Sequence, residues 1–152
     1  MQILEIEEFY AQCCADLANA SEAELASYIY DNPSLQDVLL RRLKGRTEFK
    51  LNLYVDAELF ANARYRYQRP RLKALRDAGA QVFLCKGPGR QGSFHMKALV
   101  VDRRYLYSGS PNFTYKSHCN EELCMRITGG GVAKVMEKLS GHRLTRNAWD
   151  GA

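Results

Sequence analysis

Four polar residues interrupt two short stretches of strand-like sequence near the middle of the chain. His95 and Lys97 stand two positions apart in SFHMKALVVD, and Ser110 and Asn112 stand two positions apart in GSPN. Successive side chains of a strand point to opposite faces, so the members of each pair share a face, about 6.6 Å apart along the strand. A hydrophobic core has no use for such side chains, which makes these residues candidates for chemistry.

Antiparallel pairing of the two stretches would bring the four residues together. If the chain reverses at residues 102–103, residue 101 lies opposite residue 104, and counting back places His95 opposite Ser110. Residues directly opposite each other in an antiparallel pair point to the same face of the sheet. The sequence therefore predicts one polar cluster at the open end of a hairpin.

The residue types of this cluster indicate chemistry at an anionic centre. An imidazole can act as a nucleophile or as an acid and base near neutral pH. A lysine, a hydroxyl and a carboxamide donate hydrogen bonds to the oxygens of an anion. No acidic cluster accompanies them, so the sequence implies no divalent metal. We therefore predict a phosphoryl-transfer site that uses neither a metal nor another cofactor.

Helix and strand patterns alternate around these residues. Apolar residues at spacings of three and four predict a helix over 3–19. The segment 21–24 has the form of a capping box, yet strand-like sequence follows it, so we expect a helical turn and then a strand over 25–30. Asn32 and Pro33 are typical of the cap and first residue of a second helix.

The rest of the chain continues the alternation. The further predicted elements are, in order, the end of the second helix at Gly45, a strand over 48–55, a helix from about Pro70 to Gly79, a strand over 80–85, a hairpin over 94–109, a strand over 121–127 and a helix within 129–144. Strands that alternate with helices across short joints predict an α/β layered fold. We expect a mixed β-sheet flanked by helices, in one domain spanning residues 1–152.

Composition favours an anionic partner, but only modestly. The 152 residues include 22 Lys and Arg against 17 Asp and Glu, a formal net charge of +5. Such a balance suits nucleic acid or anionic lipid, although many basic proteins bind neither.

The sequence also predicts where the protein resides. It has no stretch of the roughly 20 apolar residues needed to cross a bilayer. The N-terminal segment 1–17 is acidic, which argues against a secretory signal or a transit peptide. The five cysteines are odd in number and lack metal-binding spacing, which favours reduced thiols. We expect a cytoplasmic protein with no stable membrane insertion.

Residues 95–112 resemble the signature of a known family. They fit the pattern His-x-Lys-x4-Asp-x6-Gly-Ser-x-Asn of the phospholipase D superfamily at every specified position, including Asp102 and Gly109. The resemblance extends over about residues 24–138. In size and layout the chain resembles the single-motif members, namely the bacterial plasmid endonuclease and the Zucchini-type nucleases, and Asn120 to Glu122 resembles the Asn-x-Glu that follows the motif there.

The resemblance implies a role for each residue of the motif. His95 would attack phosphorus and form a covalent phosphohistidine. Lys97 and Asn112 would hold the non-bridging oxygens, with Ser110 assisting. Glu122 would hydrogen-bond the second nitrogen of His95 and fix its tautomer.

Two further acidic residues, Glu121 and Asp102, are candidates for supporting or structural roles. The spacing from the motif to Glu122 is one residue shorter than in the bacterial enzyme, which leaves Glu121 as a second candidate for the support of His95. Asp102 would lie at the hairpin tip, about 23 Å along the strand from His95. We interpret Asp102 as structural, capping its own turn.

The resemblance also implies a partner. The mechanism needs a second histidine, and neither His118 nor His142 lies in a second motif. Single-motif relatives pair two subunits, so we expect a homodimer in which His95 of each chain meets at a two-fold axis.

Two basic segments are candidate substrate-binding surfaces. Segment 62–73 alternates arginine with tyrosine, which suits phosphate pairing and base stacking as well as an ordinary solvated helix start. The glycine-rich segment 86–93 is either a plain turn or a phosphate-facing rim. The candidate residues are Arg64, Arg66, Lys86 and Arg90.

Together these observations predict a metal-independent phosphodiesterase, and specifically an endonuclease that cleaves DNA or RNA, with single strands favoured. The alternative is a phospholipase D-type hydrolase of anionic phospholipids such as cardiolipin, which shares the chemistry.

Overall fold

A seven-stranded mixed sheet forms the centre of the computed structural model, which describes residues 1–152. Its strands are β1 (Gln2–Leu4), β2 (Glu22–Ser27), β3 (Lys50–Asp56), β4 (Gln81–Cys85), β5 (Ala98–Val101), β6 (Tyr105–Gly109) and β7 (Cys124–Ile127). Their order is β1-β7-β6-β5-β2-β3-β4. β2, β3 and β4 run parallel, whereas the remaining neighbours pair antiparallel.

Helices cover both faces of this sheet. They are α1 (Ile6–Ala18), α2 (Pro33–Lys44), α3 (Ala57–Ala61), α4 (Arg69–Asp77) and α5 (Gly130–Thr145), with 3₁₀-helical turns at Ala63–Gln68 and Tyr115–Cys119. α1, α2 and α4 pack on one face, and α5 packs on the other. The predicted α/β fold with a mixed, helix-flanked sheet is confirmed. No helix is both long and apolar enough to span a membrane.

Alternation along β3 explains why both faces are covered. Leu51, Leu53 and Val55 are buried against α1, α2 and α4, whereas Tyr54 is buried on the opposite face with Leu139 of α5. A strand in the middle of the sheet buries residues of both parities because each face carries a layer of helices. The predicted strand over 48–55 is confirmed, with bounds shifted by one or two residues.

The start of α2 follows the sequence expectation. The side chain of Asn32 accepts a hydrogen bond from the Leu35 backbone N–H at 3.0 Å, and Pro33 is the first helical residue. Proline loses nothing there because the first N–H groups of a helix have no partner within the helix. The helix ends before Gly45.

Two predictions near the N-terminus were wrong. Residues 2–4 form β1 against β7 rather than the first turn of a helix. The capping-box form at 21–24 starts no helical turn, because residues 22–27 pair with β3 on one side and 23–26 pair with β5 on the other. A strand in the middle of the sheet satisfies both sets of backbone groups, which outweighs a local capping preference.

The hairpin register was also predicted wrongly, by one residue. Val101 pairs with Tyr105, so three residues rather than two connect β5 to β6. Asp102 and Arg103 both adopt positive φ angles, of 51° and 53°. Side chains without a β-branch tolerate this region at a modest cost, and aspartate does so more readily than most.

Contacts with β2 hold this strained loop. Asp102 Oδ1 accepts hydrogen bonds from the backbone N–H groups of Ser21 and Glu22 at 2.8 and 3.1 Å. Arg103 Nε lies 2.6 Å from Oε1 of Glu22. Asp102 lies at the hairpin tip as expected, but it caps the start of β2 and not its own turn. The β5–β6 ladder ends at Ala98 and Ser108, so residues 93–97 lie outside it and the predicted pairing of His95 with Ser110 is not made in the sheet.

Gly109 permits a close approach of β6 to β7. It pairs with Cys124, and a Cβ atom at position 109 would lie far inside contact distance of the Leu123 carbonyl oxygen. Only glycine fits beside a carbonyl at this separation. The approach places the residue after Gly109 against the segment that leads into β7.

We expect Gly109→Ala to lower the free energy of unfolding by about 1–3 kcal/mol, because the added methyl group forces β6 and β7 apart. Equilibrium denaturation followed by circular dichroism measures this change. Gly141→Ala is a matched control: it lies within α5, where an added Cβ meets nothing within 4 Å, and helix propensity predicts a gain of up to about 1 kcal/mol. Equal stability of Gly109→Ala and the wild type would contradict the close-approach argument.

Candidate active site

The candidate residues come from one edge of the sheet. β2, β3, β4 and β6 end there, whereas β5 and β7 begin there. Strand pairing therefore collects residues that are far apart in sequence, from Tyr28 after β2 to Glu122 before β7. Ligands of α/β proteins commonly bind at the carboxyl ends of parallel strands.

His95 and Lys97 form the first half of the cluster. Lys97 Nζ lies 2.8 Å from Nδ1 of His95 and donates a further hydrogen bond to the His95 carbonyl at 3.2 Å. The imidazole is exposed and rests against the ring of Tyr28, with 4.4 Å between ring centroids. No protein group contacts Nε2 of His95 by a hydrogen bond, so this nitrogen is free to meet a substrate.

A buried carboxylate positions the segment that carries His95. Asp56 Oδ2 accepts a hydrogen bond from the Phe94 backbone N–H at 2.8 Å, while Oδ1 accepts from the Leu59 N–H and caps α3. Asp56 is buried at the end of β3. Phe94, which precedes His95, is thus anchored to the end of β3, although residues 93–97 do not themselves form a strand.

Ser110 and Glu122 form the second half. The Ser110 hydroxyl donates to the Glu122 carboxylate and accepts from the Leu123 N–H at 2.9 Å. The other oxygen of Glu122 accepts from Asn120 Nδ2 at 3.1 Å. The close approach at Gly109 makes these contacts possible.

Asn112 has an unusual environment. Its side-chain oxygen Oδ1 is buried and has no hydrogen-bond partner, while its backbone carbonyl accepts from the Tyr10 hydroxyl at 3.0 Å. An unpaired buried polar atom costs free energy. The backbone of Asn112 is therefore held in place while part of its side chain lacks a partner.

Lys97 links the two halves of the cluster. Burial lowers the pKa of Lys97, and the nearby Glu122 carboxylate opposes this shift. The ammonium thus contacts His95, and its pKa is also affected by the charge of Glu122. The structure does not show the hydrogen bond between Glu122 and His95 that the family resemblance implied, because each group has the other partners described above. Glu121 is exposed.

Two cavities flank the cluster. One, of about 480 Å³, contains His95 and is lined by the basic residues Lys86, Lys138, His142 and Arg146. The other, of about 420 Å³, contains Ser110, Asn112 and Glu122. The predicted cluster is therefore divided between two cavities at one edge of the sheet, and we call the surface that carries His95, Lys97, Ser110, Asn112 and Glu122 the ridge.

The four predicted substrate-binding residues do not share one location. Lys86 lines the cavity of His95, and Arg64 lines the cavity of Asn112. Arg66 and Arg90 are exposed and line neither. The guanidinium of Arg64 stacks on Tyr65 at 5.8 Å, so the basic and aromatic groups of this segment are in contact.

Sequence reasoning missed three residues of the site. Tyr28 was assigned to a strand, Asp56 was not singled out, and His142 was interpreted only as a residue of the last helix. His142 does lie in α5, but its ring meets Phe94 edge to face at 5.0 Å. Only the positions of Tyr28 and Asp56 at strand ends offered a signal, whereas nothing local indicates that α5 crosses this edge.

The other histidine lies apart from the cluster. His118 stacks on Tyr10 with 4.2 Å between ring centroids, and its Nε2 lies 3.0 Å from Nδ2 of Asn32. These contacts hold the His118 ring against α1 and the start of α2.

The geometry predicts opposite tautomers for two histidines in the free protein. A charged Lys97 can only donate, so Nδ1 of His95 accepts and Nε2 carries the proton. Asn32 Nδ2 donates to Nε2 of His118, so the proton of His118 is on Nδ1. Two-dimensional ¹H–¹⁵N NMR above pH 8 should resolve these two patterns. Lys97→Met should remove the preference of His95 alone; an unchanged His95 spectrum in that variant would contradict the contact.

Comparison with known protein families assigns the chain to one of them. The sequence profile of the family described as "Cardiolipin synthase, PLD-like domain" matches residues 14–142, more than half of the chain. No curated protein matches the chain in sequence at a significant level.

Solved structures share the fold at low sequence identity. NucT from Helicobacter pylori superposes with a TM-score of 0.81 at 14% identity, over 97% of this chain and 98% of that one. The phospholipase D family member Nuc from Salmonella typhimurium gives 0.76 at 16% identity, over 97% and 96%. Phosphatidylserine synthase from Haemophilus influenzae gives 0.73 at 14% identity, over 93% of this chain but 37% of its own length.

The profile match over residues 14–142 decides the assignment, and the signature at residues 95–112 fits the family at every specified position. The chain belongs to the phospholipase D superfamily, and phosphodiester chemistry is its activity at the level of that family.

Proposed function

We propose that the protein is an endonuclease that cleaves single-stranded nucleic acid through a phosphohistidine at His95, without a metal ion. The observation that carries the proposal is the exposed imidazole of His95, with Nε2 free and Lys97 Nζ at 2.8 Å from Nδ1. A nucleophile and a cation that can hold a phosphate oxygen thus stand side by side at the mouth of a basic cavity.

The proposed reaction has two displacements at phosphorus. Nε2 of His95 forms a P–N bond as the P–O bond to the leaving group breaks, and a second imidazole gives its proton to the leaving oxygen. Water then attacks the phosphohistidine, its proton passes to the second imidazole, and the P–N bond breaks. Lys97 and Asn112 hold the non-bridging oxygens throughout, assisted by the Ser110 hydroxyl.

The substrate itself would prepare the nucleophile. In the free protein Lys97 donates to Nδ1, which leaves the proton on Nε2, where it blocks attack. A phosphodiester is a stronger acceptor for an ammonium than an imidazole is, so the substrate draws Lys97 to its oxygens. Nδ1 can then carry the proton and donate to a carboxylate, Glu122 or Glu121, while Nε2 presents its lone pair.

A second subunit would supply the second imidazole. His118 is held by Tyr10 and Asn32, away from the ridge, and the chain has one copy of the motif. In a homodimer with a two-fold axis beside the ridge, His95 of one protomer is the nucleophile and His95 of the partner subunit is the general acid.

Charge and aromatic contacts favour nucleic acid over lipid. Arg64 and Tyr67 line the cavity of Asn112, and Tyr67 is 48% exposed, so a base can stack there while phosphates meet Arg64. Two proteins of the same fold act on different kinds of molecule. TrmBL2, an archaeal chromatin protein, is described as binding DNA, whereas the Haemophilus influenzae protein is a phosphatidylserine synthase.

The alternative function is hydrolysis of an anionic phospholipid such as cardiolipin. The family description, which names cardiolipin synthase, favours it. Labelled single- and double-stranded DNA and RNA, together with vesicles of cardiolipin, separate the two functions. Turnover of lipid without turnover of any nucleic acid would contradict the nuclease proposal.

We expect cleavage of single-stranded oligonucleotides to persist in EDTA and to fall at least about 10⁴-fold in His95→Ala, because the nucleophile is lost. Lys97→Met should cost about 10²–10³-fold through the loss of one charged donor. Lys134→Gln, which removes an exposed charge that lines neither cavity, is the control and should retain activity. Full activity of His95→Ala, or loss of wild-type activity on chelation, would refute the mechanism.

Mixed dimers test the shared site. We expect a purified heterodimer of wild-type and His95→Ala chains to retain at most about one-hundredth of wild-type activity, because no general acid opposes the remaining nucleophile. A heterodimer of wild-type and Lys134→Gln chains is the control. Half of the wild-type activity in the first heterodimer, or a monomeric mass for the active protein, would contradict the dimeric site.

A further inference from the structure

The cavity of His95 is lined by positive charge from two separate parts of the chain. Lys86 follows β4, whereas Lys138, His142 and Arg146 come from α5 or directly follow it. No aspartate or glutamate lines this cavity of about 480 Å³. None of these basic residues belongs to the superfamily signature at residues 95–112.

The cations lack acidic partners within the chain. The six ion pairs of the protein involve other residues and leave out Lys86, Lys138 and Arg146. The Nε atom of Arg146 is buried and has no hydrogen-bond partner. Like charges held together without a counter-charge are unfavourable, so this arrangement suits an anion that the chain itself does not provide.

The pKa of His142 is lowered in this basic cavity. Burial lowers its pKa, and the positive charges of Arg146 and Lys138 lower it further. Phe94 from the loop before β5 meets the ring edge to face, and His95, Lys86, Lys138 and Arg146 line the same cavity. An anion among these groups would offset the repulsion and raise the pKa of His142.

The helix that carries these groups is firmly held. Arg143, next to His142, pairs with the buried carboxylate of Glu24 at 2.8 Å. Tyr54 donates to the same carboxylate at 2.6 Å, and Asn52 donates at 3.0 Å. The part of α5 that carries Lys138 and His142 is therefore anchored to the sheet near this edge.

We propose that this cavity is a second phosphate subsite, which binds the phosphate next to the scissile phosphodiester in a nucleic-acid strand. The inference rests on the proposed function, since it takes the scissile phosphate to lie at His95. Lys138 and Arg146 pair with the oxygens of the neighbouring phosphate, and Lys86 closes the opposite wall. A substrate with a single phosphodiester leaves the subsite empty, so the subsite selects a continuous strand.

Substrates that differ in one charge test the subsite. A trinucleotide with two phosphodiesters is compared with its two analogues in which either linkage is a neutral methylphosphonate. We expect Lys138→Gln and Arg146→Gln each to lower kcat/KM for the trinucleotide at least about tenfold, and to leave bis(p-nitrophenyl) phosphate, which has one phosphodiester, within about twofold. On the analogue that is neutral at the flanking position, both variants should match the wild type, since the contact is already absent.

Lys134→Gln is the matched control. It removes the same charge from the same helix, but Lys134 does not line the cavity. We expect it to leave all three trinucleotide substrates within about twofold of wild type. Equal losses in Lys134→Gln and Lys138→Gln would show a general effect of net charge and would overturn the subsite.

A binding measurement separates failure of the subsite from failure of the proposed function. Inorganic phosphate is titrated against the wild-type protein while NMR follows the His142 imidazole, whose pKa should rise, with a smaller rise in Arg146→Gln. A phosphate response without cleavage of any oligonucleotide would retain an anion site and reject the nuclease. Cleavage that ignores the flanking charge, with no phosphate response, would retain the nuclease and reject the subsite.

Phospholipid vesicles test whether the occupant of the subsite is a lipid. Vesicles of cardiolipin, which has two phosphates, are compared with vesicles of phosphatidylglycerol, which has one. A loss in Lys138→Gln confined to cardiolipin, with trinucleotides unaffected, would overturn a nucleic-acid strand as the occupant.

Discussion

The antiparallel pairing of β5 with the parallel strand β2 is the constraint on which the site depends. It sets the start of β5 at the edge where β2, β3, β4 and β6 end. His95 thereby meets Tyr28, while Asp56 anchors the preceding backbone and Ser110 directly follows β6, the next strand. Pairing in the parallel sense would carry His95 to the opposite edge, away from each of these residues.

This edge of the sheet carries more positive than negative charge. On one side of His95 the basic residues have no acidic partners; on the other, the Glu122 carboxylate is held by Ser110 and Asn120. Lys97 lies between these regions with a pKa that burial lowers. An anion at the ridge would relieve the excess of positive charge and would give Lys97 a better partner than an imidazole. In the proposed mechanism, the free energy of substrate binding is thus used to set the tautomer of the nucleophile.

The sequence predicted the α/β class and most helices and strands, because these follow from periodicity, and a dense local motif identified the candidate site residues. It did not predict the register of the β5–β6 hairpin, since the positive φ angles of Asp102 and Arg103 depend on contacts with Ser21 and Glu22, 80 or more residues earlier. The strand at 22–24 overrode a capping pattern for the same reason: its partners are distant in sequence. His142 could not be assigned to the site because only tertiary packing brings α5 to this edge.

The covalent intermediate tests the central claim most directly. Wild-type protein is mixed with a single-stranded oligonucleotide in EDTA, quenched in alkali during turnover, digested and analysed by mass spectrometry. The account predicts a nucleotide phosphoramidate on the peptide that contains His95, absent in His95→Ala and labile to acid. Turnover with no adduct on that peptide under the same quench, or an adduct on another residue, would contradict it.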